Sequence, residues 1–222
     1  MTKTYNLNTA VPLADYLKDG TWSLHTKAEK TGVVAEIIGR RVSLRDYSNF
    51  IQNLAEIYKV LENQNSWMSD FVPLQECFTD CLYRYKHLEN DYKNLLSLNA
   101  SIKKTLVVHD VTEQYCEHIA HAQSHSPLAM LGHIYVRYLG DLNGGQVLHK
   151  LLKSALDLSD ECLSFYAFPE ISNIHEFRLR FRSALNSVLL TDEQKRIATR
   201  GAIDAFNFNI ALSKACNTQQ AV

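Results

Sequence analysis

The chain has 222 residues, 46% of them hydrophobic and 21% charged, with a formal net charge of −1. That length suits one ordinary domain with a substantial core, and the composition excludes a disordered chain. A pI near 6.7 leaves no broad electrostatic footprint for nucleic acid or an anionic membrane, so any basic function must be local.

Met1 to Asn8 carries no basic region followed by an apolar run, so no signal peptide is expected. From Pro12 to Ala28, Leu13, Leu17, Leu24 and Ala28 fall on one stripe, which predicts an amphipathic helix. Leu44, Tyr47, Ile51, Leu54, Tyr58 and Leu61 predict a second, while Asn63 to Phe78 reads as loop plus a short helix. Cap patterns recur at Ser43 with Asp46, Asp110 with Glu113, Asn173 with Glu176 and Thr191 with Gln194. No stretch alternates with period two over a convincing length. The expectation is an all-α fold of seven to nine helices in a single domain over 1–222. Its core would span about 11–213, before a polar tail at 214–222 with no membrane anchor. Five cysteines follow no zinc spacing; Cys77 and Cys81, four apart, read as a helix-packing pair, and the usage suits a reducing, cytoplasmic setting.

Two features point toward chemistry. At 100° per residue, His25 lies on the flank of the first apolar stripe, on the same side as Lys18 and Glu29. A metal-bound imidazole commonly gives its second ring N–H to such a carboxylate. Lys18 is two turns back, roughly 10 Å along the axis, a span that suits an iron at one point and a carboxylate at the rim of a large planar ligand. The alternative is a boundary histidine that merely pairs with Glu29. Further on, Leu128, Leu131, Tyr135, Tyr138 and Leu139 predict a helix from Pro127 to Gly140, followed by Gly140-Asp141-Leu142-Asn143-Gly144-Gly145 and another helical run. Three glycines inside a helix cost roughly 3 kcal/mol relative to alanine, so either the helix stops here or something compensates. Gly140 and Gly144 share a face, where absent side chains would let backbone lie against a flat ligand, with Asp141 beside it. No Gly-Lys-Ser/Thr follows, which excludes a phosphate loop.

Leu24-His25-Thr26-Lys27-Ala28-Glu29, together with the run from Tyr135 to Gln146 (YVRYLGDLNGGQ), resembles the haem oxygenases. The resemblance extends from about Leu13 to Leu212, through Tyr58, Phe165-Tyr166-Ala167-Phe168-Pro169, Phe206 and Asn209. It implies haem held between a proximal N-terminal helix and a kinked distal helix. His25 would be the proximal iron ligand, with Glu29 behind it. Gly140 and Gly144 would contact the distal face, and Asp141 would hold distal water, with Tyr58, Arg137 and Asn209 in the outer network. Tyr135, Tyr166 and Phe206 would line the pocket, and Lys18, Arg178 and Arg182 would meet the propionates. Trp22 and Ser213 depart from the common pattern, standing where a second lysine and an aromatic are usual; Arg178 replaces a common lysine and keeps its charge.

The implied reaction opens haem with O2 to biliverdin, the α isomer expected, with carbon monoxide and ferrous iron. A histidine ligand avoids the strong push of a thiolate, and a carboxylate acting through water can deliver protons without touching the iron. No flavin or nicotinamide fingerprint is present, so a separate redox partner of ferredoxin, flavodoxin or flavin reductase type is implied. A monomer is the default expectation. A haem carrier or store would need His25 but not Asp141. A di-iron protein would need Glu-x-x-His pairs, which the chain lacks. His118, His121 and His125 share a helix face without the partners of a zinc site, and read as a solvated surface.

Overall fold

The computed structural model describes residues 11–63 and 66–218; the N-terminal stretch and the last four residues of the expected tail lie outside these. The described residues form eleven α-helices: α1 (Leu13–Glu29), α2 (Gly32–Ile38), α3 (Leu44–Asn63), α4 (Val72–Gln75), α5 (Tyr85–Leu98), α6 (Asp110–His125), α7 (Pro127–Ile134), α8 (Gly140–Leu156), α9 (Ser164–Ala167), α10 (Ile174–Asn186) and α11 (Asp192–Ala215). Among the described residues there is no strand. A π-helical turn, Tyr135–Leu139, joins α7 to α8 without interruption. Counting those three as one segment leaves eight helices of seven residues or more, which agrees with the expected seven to nine.

The long α11 is the organising element. It packs along α7 and α1, while α3 packs on α5 and α6, and their apolar faces share one core. Helix α1 buries Leu13, Ala14, Leu17 and Thr21 and leaves the opposite flank in solvent. Its start has no local cap. Asn186 at the end of α10 accepts from the Ala14 amide at 2.8 Å, and Lys195 of α11 donates to the Val11 carbonyl at 2.9 Å. One of the first amides of the helix and the carbonyl that precedes it are thus satisfied by tertiary partners.

Three of the four expected caps form. Ser43 Oγ accepts from the Asp46 amide, Asn173 caps the Glu176 amide, and Thr191 with Gln194 makes a reciprocal capping box. At α6 the cap position is His109, and Asp110 lies in the first turn without capping. The reason is Asn53 of α3, whose side chain accepts from the His109 amide and sets where the helix begins. Cys77 and Cys81 sit in turns after α4, both as free thiols, so they are not a helix pair. The start of the expected polar tail is also packed: α11 runs to Ala215, Cys216 is buried, and Thr218 donates to Asp46 Oδ1 at 2.7 Å.

The glycine stretch does not stop the helix. Helical geometry passes through Gly140, Gly144 and Gly145 to Leu156, and the irregularity is the π turn one step earlier. A π turn adds a residue to one helical turn and commonly bends the rod where it occurs. Asn143 donates its side-chain amide to the Leu139 carbonyl at 2.6 Å, satisfying an acceptor at the end of that turn. Gly145 has a packing reason, since a Cβ there would approach the Tyr166 ring at 3.3 Å.

Candidate functional site

A cleft runs between α1 on one side and the π turn with α8 on the other, closed at its back by α11. It comprises two adjoining cavities of about 470 and 310 Å³, which share His25, Val136, Gly140, Gly144 and Phe206. The larger opens among Lys18, Trp22, Arg178 and Arg182; the smaller runs inward among Val34, Phe50, Leu54, Val147 and Phe165. The cleft is therefore cationic at its mouth and apolar in its depth. This is the polarity wanted by a flat apolar ligand with anionic groups on one edge.

His25 stands on the α1 wall, its side chain 47% exposed, with Nδ1 3.8 Å from Glu29 Oε1. That separation orients the pair but exceeds a hydrogen bond. The ring stacks on Trp22 with a centroid distance of 5.7 Å and meets the edge of Phe206 at 6.0 Å. Facing it, Gly140 and Gly144 leave open space: a Cβ built on either would meet nothing within 4 Å. Because no protein atom uses that room, the two glycines keep a wall free for a planar group. The described residues fit haem in shape, polarity and iron-donor chemistry.

Beside the glycines, Asp141 lies half-buried at the cleft floor. Tyr58 of α3 donates a very short hydrogen bond to Asp141 Oδ2. Arg137 donates through Nε to the Tyr58 hydroxyl at 3.2 Å and through Nη1 to Asn209 of α11 at 2.5 Å. Burial raises the Asp141 carboxyl to about 6, against the lowering effects of Arg137 and the Tyr58 hydrogen bond. Burial also holds the Tyr58 phenol well above its usual value, so it remains a neutral donor. Burial opposes the charge of Arg137, but Tyr58 and Asp141 outweigh it and keep the guanidinium firmly protonated.

The remaining predicted residues reach the cleft with different degrees of freedom. Tyr135, Tyr166 and Phe206 line its walls. Arg182 is ion-paired with Asp15, and Arg178 donates to the side-chain oxygen Oδ1 of Asn143 at 3.0 Å and lies 2.9 Å from His175 Nδ1. The Lys18 ammonium rests 5.8 Å from the Trp22 ring centroid. Ser213 borders the inner cavity and is itself buried; its hydroxyl donates to Thr31 O and accepts from the Val34 amide, tying α11 to the start of α2.

Sequence reading missed the groups around this network. His133 is fully buried, with Nδ1 3.3 Å from the Tyr115 hydroxyl, and burial lowers it to about 3, so it stays neutral. Arg84, wholly enclosed, stacks 4.0 Å above Phe168 and donates to the carbonyls of Cys81 and Leu82. Glu62 accepts from the Arg84 and Tyr85 amides and from Tyr138. A periodicity argument sees His133 and Arg84 only as polar interruptions; an arginine before a helical stripe carries no signal of where it is buried. The histidines of α6 go to the surface: His118 faces Asp204 at 3.6 Å, and His121 stacks on His125.

A family profile described as "Heme oxygenase" matches residues 11–215. A heme oxygenase of Takifugu rubripes is 34% identical over 200 residues, 89% of this chain and 72% of that protein. One from Porphyra purpurea is 30% identical over 93% of this chain and 87% of its own length. Among solved structures, heme oxygenase-1 from Synechocystis in complex with heme superposes with a TM-score of 0.83 at 27% identity, covering 95% of each chain. That from Leptospira interrogans gives 0.82 at 27% identity, covering 92% of this chain and all of its own. The profile match over nearly the whole chain, added to a cleft with an imidazole on one wall and open glycines on the other, establishes that this chain belongs to the haem oxygenase family.

Proposed function

We infer that this enzyme opens haem oxidatively while the macrocycle lies between α1 and α8. The carrying observation is the pair of faces: an exposed His25 on one, and on the other Gly140 and Gly144 under open space with Asp141 beside them. Haem, as substrate, supplies the O2 chemistry when bound and is consumed to biliverdin, carbon monoxide and ferrous iron.

Each residue then has a defined task. His25 offers a ring nitrogen to iron, and the Glu29 carboxylate, 3.8 Å from Nδ1, is near enough for its charge to favour the N–H on that nitrogen, though not to hydrogen-bond it. Lys18, Arg178 and Arg182 hold the propionates at the mouth and so set the rotation of the macrocycle; the α isomer is the expected product. Gly140 and Gly144 bring backbone close to the distal face and narrow the room for dioxygen to one direction. Asp141 holds or releases a proton near neutral pH, because its carboxyl is raised to about 6. Tyr58, Arg137 and Asn209 form the chain of hydrogen bonds that keeps Asp141 in place, and Arg137 and Asn209 also border the inner cavity. Tyr135, Tyr166 and Phe206 exclude water from the macrocycle's flanks.

Electrons come from a separate reductase of ferredoxin, flavodoxin or flavin type, and the working form is a cytoplasmic monomer. None of the described helices is long and apolar enough to cross a membrane. The test is a single turnover with haem, reductant and O2, followed by identification of the verdin isomer. Loss of the Soret band with growth of a verdin band supports an oxygenase; a static spectrum makes the protein a carrier. Asp141→Ala is expected to bind haem and lose biliverdin yield by a factor on the order of 100 or more, the usual scale for a positioned acid–base group. Normal yield from that variant removes Asp141 from the chemistry. His25→Ala is expected to bind haem loosely and turn over poorly, and an unchanged Soret band with full turnover rejects His25 as the ligand.

A further inference from the structure

Lys18, Trp22, His25 and Glu29 lie along one exposed flank of α1, at spacings of four, three and four residues. Glu29 is too far from His25 for a hydrogen bond, and among the described residues no hydrogen bond fixes the imidazole rotation. What the ring does contact is aromatic. The Trp22 indole lies 5.7 Å from it, centroid to centroid, with the two planes only 3° apart, and Phe206 presents its edge from α11 at 76°. Trp22 is 59% exposed, so its contribution to the core is small; its large apolar surface is spent on the cleft rim. The Lys18 ammonium is 5.8 Å from the same indole, within range of a cation–π contact.

We propose that Trp22 is a positioning residue for the proximal ligand: its indole stacks on His25 and sets the orientation in which the imidazole meets iron, while drawing Lys18 to the propionate edge. This rests on the reading of His25 as the iron ligand. Stacking between an indole and an imidazole restricts the ring about its Cβ–Cγ bond without withdrawing either nitrogen, which a hydrogen bond would do. The bracket of Trp22 and Phe206 therefore leaves the donor lone pair free and still limits where it points. An aromatic at position 22 replaces a rim charge by an orienting surface, so fewer cations hold the propionates and more of the seating is decided at the iron side.

The experiment compares the unaltered protein with Trp22→Ala, Trp22→Phe and Trp22→Lys, both without haem and with ferrous haem. In the apoprotein, proton NMR reads the His25 ring protons, identified by their absence in His25→Ala. The ring-current shift from the indole is expected to vanish in Trp22→Ala and Trp22→Lys and to persist in reduced form in Trp22→Phe. In the haem complex, resonance Raman reads the iron–histidine stretch, which is expected to broaden or shift in Trp22→Ala and Trp22→Lys and to recover in Trp22→Phe. The unfolding midpoint is expected to stay unchanged in all three, which separates positioning from a structural role. An iron–histidine band in Trp22→Ala that superimposes on that of the unaltered protein overturns the role of Trp22 alone. A band that survives in His25→Ala overturns the ligand assignment and this proposal with it, even if the apoprotein ring shift is present.

Discussion

Two pairs of glycines lie within one helical segment and its neighbour, and they do opposite things. Gly132 on α7 and Gly201 on α11 form a seam: a Cβ on Gly132 would lie 2.1 Å from the Ala198 carbonyl oxygen, and one on Gly201 2.1 Å from that of Ala129. There the missing side chain is replaced by the backbone of another helix. At Gly140 and Gly144 the missing side chain is replaced by nothing, since no atom lies within 4 Å of either Cβ position. The first pair stabilises the fold by close approach. The second weakens the helix, at about 1 kcal/mol per glycine relative to alanine, and keeps a wall bare for substrate. Glycine content alone does not distinguish packing from function; the occupant of the vacated space does.

This contrast can be broken most forcefully at the seam. Gly201→Val and Gly132→Val are expected to lose several kcal/mol, on the order of overpacking a close-packed core or more, because rigid backbone stands where the side chain must go. Urea unfolding of the apoprotein measures it, and a near-native midpoint in either variant would show that α7 and α11 can separate freely. Next in size, Gly144→Val is expected to leave the apoprotein folded and to weaken haem binding by about 100-fold, roughly 2.7 kcal/mol, by filling the bare wall. Haem titration checks this, and unchanged affinity would mean that substrate does not lie against Gly144.

A smaller effect belongs to the carboxylate between the two cleft glycines. Asp141 has its carboxyl raised to about 6 by burial, so the folded protein binds this proton more tightly than the unfolded chain, whose carboxyl titrates near 3.9. Stability from this group is then fully present below about pH 4 and is lost as pH rises through 6. The full shift corresponds to about 3 kcal/mol, which water at the cleft floor reduces to about 1–2. Asp91, also raised to about 6 by burial, adds a slope of the same sign. Asp141→Asn should flatten the fall in urea midpoint between pH 4 and 7 without abolishing it; an unaltered slope would place Asp141 in a solvent-like environment. The smallest change is the most telling. Gly140→Ala should stabilise the apoprotein by about 0.5–1 kcal/mol, whereas Gly201→Ala should destabilise it, although the substitution is the same.

Much of the fold was legible because helix period and cap chemistry are local. The stripe of Leu13, Leu17 and Leu24 and the caps at Ser43, Asn173 and Thr191 follow from spacing alone, and each forms. Where local reading failed, a distant residue had intervened. Asn53 decides where α6 begins, and Asn186 completes the first turn of α1 across 172 positions of sequence. The glycine run left open whether the helix stops or something compensates, because propensity counts only the segment's own cost. The helix persists because its neighbours, Tyr166 beside Gly145 among them, hold it in place, and the irregularity falls instead at a π turn whose residues, Tyr135–Leu139, carry no glycine or proline.

At the site the division is similar. The sequence by itself determined the chemical types and their helix faces: a flank histidine with a carboxylate one turn on, two glycines four apart, and an aspartate next to them. Those are properties of spacing on a single helix, which fixed geometry converts directly into position. Only the tertiary structure decided that the two helices face each other across one cleft. It also decided that Asp141 is held through Tyr58 and Arg137 to Asn209, residues from three other turns of chain brought together by packing. Burial and hydrogen-bond partnership depend on which surfaces meet: burial sets the proton affinity of Asp141, and the absence of any facing atom leaves Gly140 and Gly144 bare.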